Sequence, residues 1–514
     1  MIERVFRSLR FRDPQKAYTL LRRLAYPKNR ELRSPRARTY LAHLFPRLLD
    51  AIGRSADPDQ AVLMFTSCVE TLGAPSVFYQ LLAERPETCH LFVDLFGQSR
   101  FISELLLNHP GTLDELIDRL RTGSRIREEE LVGELREILG ALPPERSSAA
   151  LHEFRALHTV EVAILDLGRR LPLPRILRRL SAIARASLRV LEERAHASVV
   201  ERWGELIPVE GEPPPRHTIL ALGRLGGNEI GYASDIDMIL IYDGRGETKE
   251  GVSERVFYTQ LLQKLIADLT HSGPGGPLYS VDLRLRPYGA GGAIVHSLRE
   301  FQSYFLGPDS QVWEHQALTR CSPAAGDLGL AREVIEFVRG NLGRDLGGEE
   351  ILEALLEMHG RRVETGRDPG FRLKTGPGGI LDIEFLVQSL ILLNAREIPE
   401  LWEPNTAAAI ALLASHGLLT GAEAATLGNA YQFFRLVENR LGMLHRSSVR
   451  VVGTDDASLR DLALRIGYTG GEGVEPEETL LEELRFLTGE VRRIFTDRSS
   501  RPGRPPSQGS RRKP

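Results

Sequence analysis

Two aspartates, Asp235 and Asp237, stand two positions apart at the start of a strongly apolar segment, IDMILIYD (236–243). Because side chains two apart on a strand point to the same face, these carboxylates should project together from one edge of a sheet. Adjacent carboxylates repel each other unless a cation compensates them, and oxygen ligands suit Mg²⁺ or Mn²⁺. The spacing therefore predicts a divalent-metal site.

A third acid, Asp282, lies in YSVDLRLRP, beyond one predicted helix. Neighbouring strands of a small sheet would bring the three carboxylates to one point, and acids that hold two metals serve in-line displacement at phosphorus. Arg284 and Arg286 share a strand face with Asp282, so we expect them to neutralise phosphate charge.

A glycine turn precedes the two aspartates. Gly226 and Gly227 are expected to let backbone N–H groups approach a triphosphate, and Ser234 to add a hydroxyl donor. Alone, a glycine pair is more often a plain loop and a DxD a solvated turn. The combination G-G-x(6)-S-D-x-D on a strand, with a later strand acid, is much more specific.

The elements that must position these residues form a small α/β unit between helical regions. Strands are predicted at 217–224, 236–243, 278–286 and 292–297, with a helix at 253–271, whereas amphipathic periodicity dominates before and after. The fold class is thus α+β, predominantly α. We expect a helical domain at 1–204, the α/β unit at 205–310, a helical bundle at 311–497 and a disordered basic tail at 498–514.

Composition limits the function classes. The 514 residues carry a formal charge of −3, and removing the six positive charges of the tail leaves −9, which excludes a chain-wide polycation that coats nucleic acid. Cys68, Cys89 and Cys321 lie far apart, which argues against a disulfide scaffold or a cysteine zinc site. With no long apolar run, we expect a cytoplasmic protein with no membrane and no nucleic-acid partner.

The segments GGNEIGYASDID, VDLRLRPYGAGGAIVHSLREFQSYF, WEHQALTR and KTGPGGILDIEFLVQ resemble the glutamine synthetase adenylyltransferase family, which has the nucleotidyltransferase fold. The resemblance runs from about residue 32 to 444. Full-length members carry two nucleotidyltransferase units, one that attaches AMP to glutamine synthetase and one that removes it, and this chain has one. The 205–310 unit is therefore expected to be a nucleotidyltransferase domain with a mixed sheet.

The resemblance implies a mechanism and partners. Asp235 and Asp237 would bind both metals, and Asp282 would complete the metal site and help to activate the attacking oxygen. ATP would be the substrate, Mg²⁺ or Mn²⁺ the cofactor, and a tyrosine of glutamine synthetase the acceptor, with a PII-type signal protein as regulator.

The direction of the reaction is left open. GYASDID and WEHQALTR resemble the C-terminal, adenylylating unit, and the helices at 36–120 resemble the region that precedes it. The segment 430–452 resembles a pattern of the deadenylylating unit as well. We favour adenylylation, with phosphorolytic deadenylylation or a regulatory scaffold subunit as alternatives.

Downstream residues are less specific. Lys374, one of six lysines, is either a phosphate contact or a surface lysine. Asp382 and Glu384 suit the start of a helix as well as catalysis. For Glu314 and His315 we favour packing of a helix against the sheet over a catalytic role.

Overall fold

A small mixed β-sheet lies between two layers of helices. This architecture is that of a computed structural model, which describes residues 2–26, 34–72, 75–109, 111–112, 115–116, 119, 127–168, 171–341, 348–363, 370–445, 452, 456–469 and 474–500. The predicted class, α+β and predominantly α, is confirmed.

The first helical layer precedes the sheet in the chain. Its helices are α1 (Ile2–Ser8), α2 (Pro14–Ala25), α3 (Pro35–Arg54), α4 (Pro58–Thr71), α5 (Pro75–Glu84), α6 (Pro86–Gln98), α7 (Arg100–Asn108), α8 (Glu128–Gly140), α9 (Pro144–Leu167) and α10 (Leu173–Trp203). Many begin at a proline, whose missing N–H costs no hydrogen bond in the first turn. Ser34, Asp57 and Ser99 cap α3, α4 and α7 by accepting a hydrogen bond from a first-turn N–H.

The remaining helices lie within the sheet unit or after it. They are α11 (Gly223–Gly226), α12 (Glu254–Thr270), α13 (Leu298–Leu306), α14 (Val312–Leu318), α15 (Leu328–Asn341), α16 (Gly348–Arg362), α17 (Ile380–Asn394), α18 (Thr406–Ser415), α19 (Gly421–His445), α20 (Asp456–Ile466) and α21 (Pro476–Ser499). Helices α13 to α21 form the second helical layer. Short 3₁₀ turns occur at Gly289–Gly291 and Pro399–Leu401.

The strands are β1 (Ile207–Pro208), β2 (Arg216–Leu222), β3 (Ile236–Asp243), β4 (Gly246–Glu247), β5 (Ser272–Gly273), β6 (Gly276–Pro277), β7 (Val281–Asp282), β8 (Val295–Ser297) and β9 (Ser322–Gly326). In the five-stranded sheet, β2 pairs antiparallel with β3 and β9, and β3 pairs parallel with β7 and β8. The short strands β1 and β4 pair together, as do β5 and β6.

Side chains of β2 and β3 alternate between two hydrophobic cores. The core of the first helical layer takes Ile219, Ala221, Ile236, Met238, Leu240 and Tyr242, and the core of the second layer takes Leu220, Leu222, Ile239 and Ile241. This alternation follows from the period of two along a strand. Burial on both faces explains why the sequence of β3 is almost continuously apolar.

The third predicted strand, 278–286, is much shorter in the structure, where only β7 is paired. The Oδ1 atom of Asp282 accepts a hydrogen bond from the backbone N–H of Arg284 at 2.8 Å. An aspartate that bonds the N–H two residues ahead forms an Asx turn. The chain therefore leaves the sheet directly after the aspartate that was singled out for metal binding.

Strand β9 was missed, and it lies beyond residue 310, where the sequence predicted the α/β unit to end. Its sequence, SPAAG, has little strand propensity and contains Pro323, which is tolerated on an edge strand. Pairing with β2 makes it a strand. At the other end, α21 continues to Ser499, so two residues of the predicted tail are helical; residues 501–514 lie outside the described part of the chain.

None of the described helices is both long and apolar enough to cross a membrane. The predicted division at 1–204, 205–310 and 311–497 stays a prediction, since the sheet shares its two faces between the flanking layers.

Glu314 and His315 have packing contacts, and these go to helix α13, whereas the sequence had predicted packing against the sheet. Glu314 accepts hydrogen bonds from the Tyr304 hydroxyl at 2.5 Å and from the backbone N–H of Gln311 at 2.8 Å, which caps α14. The His315 ring meets Phe305 edge-on at 5.2 Å. Burial lowers the pKa of His315 to about 4.

We predict that His315 makes the fold acid-sensitive. Because its pKa is depressed in the folded state, the unfolded chain binds more protons between pH 6.5 and 4, so stability is complete above 6.5 and falls as the pH drops through this window by up to about 3 kcal/mol. Urea unfolding at pH 7 and pH 5 measures the slope. The variant His315→Gln should flatten it, whereas His416→Gln, at an exposed position, should not; equal slopes in wild type and His315→Gln would contradict the prediction.

Candidate active site

Asp237 and Asp282 are directly opposite each other on the parallel strands β3 and β7. Residues opposite in register share a sheet face, and the parity of Asp237 places it on the face that carries Ile239 and Ile241 toward the second helical layer. Asp235 is exposed and lies one residue before β3. The structure thus places two of the three predicted acids side by side in the backbone, and the metal site itself stays a prediction.

The Asp237 carboxyl group is held in an unfavourable electrostatic environment. Burial, followed by the negative charges of Asp282 and Asp235, raises its pKa to about 6, although Arg320 and Lys374 act in the opposite direction. The elevated pKa marks a carboxylate whose charge the protein does not fully compensate.

Asp282 has the opposite environment. The side chain of Arg284 contacts both carboxylate oxygens, with Nε 3.0 Å from Oδ1 and 2.9 Å from Oδ2, and Nη2 2.5 Å from Oδ2. These hydrogen bonds hold the pKa of Asp282 below its ordinary value. Arg284, predicted to bind phosphate, is therefore paired with a predicted metal ligand.

Gly223 is the glycine that approaches the aspartates, and the sequence reasoning missed it. It follows β2 with φ +53°, and a Cβ at this position would lie 2.4 Å from Oδ2 of Asp237. Leu222 pairs with Asp237 in the sheet, which brings the turn beside the carboxylate. The sequence does contain a signal for this role, because Gly223 directly follows the strand that pairs with β3, the strand of Asp237.

Gly226 and Gly227, predicted to approach the triphosphate, have a packing role in the structure. A Cβ on Gly226 would lie 1.8 Å from the carbonyl oxygen of Arg320, and one on Gly227 would lie 2.6 Å from that of Pro404. These contacts join the glycine turn to the second helical layer. Their predicted role in nucleotide binding gains no support from this packing.

Ser234, Arg286 and Lys374, also predicted to contact the nucleotide, differ in whether their polar groups already have partners. Ser234 accepts a hydrogen bond from the N–H of Gly231 at 2.9 Å, which closes the loop before Asp235. Arg286 is buried and donates to loop carbonyls, with Nε 3.0 Å from that of Ala293, so its guanidinium organises the loop. Lys374 is exposed and lies within electrostatic range of Asp237.

An arginine–glutamate network lies behind the glycine turn, and it consists of Arg224, Arg320, Arg435, Glu229, Glu384 and Glu438. Arg320 bridges Glu229 and Glu384, with Nη1 2.9 Å from Glu384 Oε1. Glu438 pairs with Arg224 at 2.8 Å and with Arg435 at 3.1 Å. Burial opposes ionisation of Glu384, but the three arginines hold its pKa below the ordinary value.

Two uncertain residues of the sequence have partners in the structure, Glu384 within this network and Asp382 outside it. Glu384 pairs with Arg320, and Asp382 accepts the N–H of Gly378 at 2.8 Å and contacts Nε2 of His359 at 2.7 Å. Both acids have structural partners. The partners of Arg320 could not be predicted from the sequence, because Glu229 and Glu384 lie on separate elements.

The donor set fits a hard divalent cation in its chemistry. Asp235, Asp237 and Asp282 offer carboxylate oxygens, and the raised pKa of Asp237 reflects negative charge that a cation would relieve. Within the described ranges, however, no group of three or more Asp, Glu, His or Cys side chains is already placed to hold a metal ion. The backbones of Asp237 and Asp282 are adjacent, but the Asp282 carboxylate is turned toward Arg284. The carboxylate oxygens are therefore not gathered at one point.

We predict separate effects for the two ends of the glycine turn. Gly226→Ala should destabilise the protein by about 1–3 kcal/mol or more, because backbone atoms must move apart. Gly223→Ala should cost about 1–2 kcal/mol through its positive φ and should also weaken Mn²⁺ binding by displacing Asp237. Gly251, with φ +78° and open space around it, is the matched control: Gly251→Ala should cost similar stability and leave Mn²⁺ binding unchanged. Unaltered Mn²⁺ affinity in Gly223→Ala would refute the role of Gly223.

We also predict that Asp237→Asn stabilises the metal-free protein. Since the folded-state pKa of Asp237 is raised, the folded chain binds more protons than the unfolded one between about pH 4 and 6, and stability falls as the pH rises through this window. At pH 7.5 in a chelator, Asp237→Asn should gain up to about 3 kcal/mol, with little gain at pH 4. Denaturant melts at both pH values test this, with Asp268→Asn, a partly exposed acid of α12, as control; a variant no more stable than wild type at pH 7.5 would count against it.

Two family models match separate stretches of the chain. Residues 89–336 match the family model described as glutamate-ammonia ligase adenylyltransferase, and residues 349–498 match one described as GlnD PII-uridylyltransferase. The chain is 33% identical over 447 residues to a bifunctional glutamine synthetase adenylyltransferase/adenylyl-removing enzyme of Nitrosococcus oceani, covering 84% of this chain and 46% of that protein.

Proteins with the same description give similar values. Identity is 33% over 454 residues in Thioalkalivibrio sulfidiphilus, covering 85% of this chain and 47% of that protein. It is 33% over 429 residues in Pseudomonas aeruginosa, covering 79% and 44%. The chain thus spans about half the length of the curated relatives it matches. The strands β2, β3 and β7 lie inside the stretch that matches the adenylyltransferase model, and the chain belongs to the glutamate-ammonia ligase adenylyltransferase family.

Proposed function

We propose that the chain transfers the adenylyl group of ATP to a tyrosine hydroxyl of glutamine synthetase. The observation that carries this proposal is the register of Asp237 with Asp282 on parallel strands, with Asp235 two residues before Asp237. Carboxylates so arranged at a sheet edge suit in-line displacement at phosphorus. The relatives named as adenylyltransferases of glutamine synthetase supply the substrate class.

In this mechanism, Asp235, Asp237 and Asp282 would hold Mg²⁺ or Mn²⁺, which when bound would neutralise phosphate charge and activate the acceptor oxygen. The acceptor hydroxyl loses its proton to solvent as its oxygen attacks the α-phosphorus of ATP, the bond to the β-phosphate oxygen breaks, and pyrophosphate leaves. The chain fixes Asp237 through β2, β3 and the turn at Gly223.

Cationic side chains complete the proposed nucleotide site. Lys374 is exposed and lies within electrostatic range of Asp237, so its ammonium is available to the triphosphate as a point charge. Arg284 is the second candidate, because its guanidinium is largely exposed beside Asp282. Gly226, Gly227 and Arg286 act indirectly, since their contacts shape the turn and loop around the site.

The proposed regulatory partner is a PII-type signal protein. Support comes from residues 349–498, which match the model described as GlnD PII-uridylyltransferase. This stretch contributes Glu384, Arg435 and Glu438 to the network behind the glycine turn. A partner bound to these helices would therefore contact elements that are joined to the glycine turn by ion pairs.

Deadenylylation is the second candidate, because the relatives carry both activities in their names. In that reaction, phosphate attacks the adenylyl phosphorus, the bond to the tyrosine oxygen breaks and ADP forms. The same carboxylates would serve both reactions. The test must therefore supply ATP with unmodified synthetase in one assay, and phosphate with adenylylated synthetase in the other.

We predict that the purified chain with Mg²⁺ and labelled ATP adenylylates glutamine synthetase, and that Asp237→Ala abolishes transfer because it removes a metal ligand. Incorporated label measures the reaction, and circular dichroism confirms folding of the variant. Asp268→Ala is the control, since Asp268 is an acid of α12 paired with Lys264 at 2.7 Å. No label on the synthetase, together with phosphate-dependent ADP release from adenylylated synthetase, would reverse the assignment.

A further inference from the structure

Arg284 forms an ion pair with Asp282, whose carboxylate is proposed to bind metal. Its guanidinium contacts both oxygens of Asp282 at 2.5 to 3.0 Å. The Asp282 side chain is 16% exposed and the Arg284 side chain 77% exposed, so the arginine covers the carboxylate from the solvent side. The lone pairs of Asp282 are thus engaged by a cation that belongs to the chain.

Arg284 is held by this carboxylate and by little else. Among the described residues, the hydrogen bonds and ion pairs of its side chain all go to Asp282. Arg286, two residues on, is buried and donates to four loop carbonyls, those of Leu283, Ala290, Gly292 and Ala293. One arginine of the pair is therefore free to exchange partners, and the other keeps the loop in place.

The backbone does not depend on the exchange. The Asx turn uses the N–H of Arg284, which any side chain at this position retains. The exposed side chain leaves no buried cavity when it moves. When the guanidinium moves away, the protein therefore loses the free energy of the ion pair and very little packing energy.

We propose that Arg284 exchanges between Asp282 in the free protein and phosphate oxygens of the bound nucleotide, and so couples metal binding to nucleotide binding. The proposal rests on the proposed function. Divalent cations at the three aspartates repel the guanidinium, and the triphosphate attracts it, since bidentate contacts of arginine suit phosphate as well as carboxylate. By linkage, nucleotide raises metal affinity to the extent that it draws Arg284 away from Asp282.

The competing interpretation is a permanent ion pair that only stabilises the turn. The exchange and the permanent ion pair predict different effects of removing Arg284 on the metal affinity of the nucleotide-free protein. If Arg284 competes with metal, its removal strengthens metal binding by the worth of the exposed pair, which corresponds to about two- to fivefold.

The experiment compares Mn²⁺ binding, measured by electron paramagnetic resonance of the free ion, in wild type, Arg284→Gln, Arg284→Lys and Arg361→Gln. Without nucleotide, Arg284→Gln should bind Mn²⁺ about two- to fivefold more tightly. Arg284→Lys keeps the charge and loses the planar fork, so it should lie between wild type and Arg284→Gln. Arg361 is exposed and paired with Glu357 on α16, and Arg361→Gln should match wild type.

A second titration adds a non-transferable α,β-methylene analogue of ATP. The analogue should increase Mn²⁺ affinity more in wild type than in Arg284→Gln, by about the same two- to fivefold factor. Equal nucleotide-free affinities of wild type and Arg284→Gln, weaker binding by the variant, or undetectable binding in both would overturn the exchange. Absence of AMP transfer with the Arg284 effect intact would refute the proposed function alone.

Discussion

The arginine–glutamate network behind the glycine turn is the interaction on which the candidate site depends. Three arginines, of which Arg320 and Arg435 are buried, balance the charge of three glutamates. They come from the turn after β2, from the second residue after α14, and from α17 and α19. A buried pair contributes little net stability, but removal of one partner costs about 3–5 kcal/mol because the other is left uncompensated. The network therefore fixes how the second helical layer meets the turn, and through Arg320 it reduces the electrostatic cost of ionised Asp237.

The sheet makes this arrangement possible because β2 and β3 have no solvent face. One face packs on the first helical layer and the other on the second. A second buried contact crosses the same region: Arg440 of α19 holds Asp166 of α9 at 2.7 and 2.8 Å, and Asp166 accepts the hydroxyl of Tyr232 at 3.1 Å. The loop that carries Ser234 and Asp235 is thus clamped from both helical layers.

Much of the fold could be predicted because its signals are local. The apolar run of β3, the helix at Glu254–Thr270 and the parity of Asp235 and Asp237 follow from periodicity alone. Strand β9 could not be predicted, since pairing with β2 overrides the low propensity of SPAAG. For the candidate site, acid types and spacing were sufficient to predict that Asp237 and Asp282 lie on neighbouring strands. The contacts of Gly223, Gly226 and Arg320 depend on atoms that only tertiary packing brings together.

The contact between Arg435 and the backbone carbonyl of Glu229 also has a consequence for biosynthesis. These residues are 206 positions apart in the chain. At about 5–20 residues per second, the ribosome needs roughly 10–40 s to make the intervening segment. During that interval the Glu229 carbonyl lacks its arginine partner, although α13 and α15 can already pack on β3 and β2. The arginine–glutamate network is therefore expected to close only after α19 has left the exit tunnel.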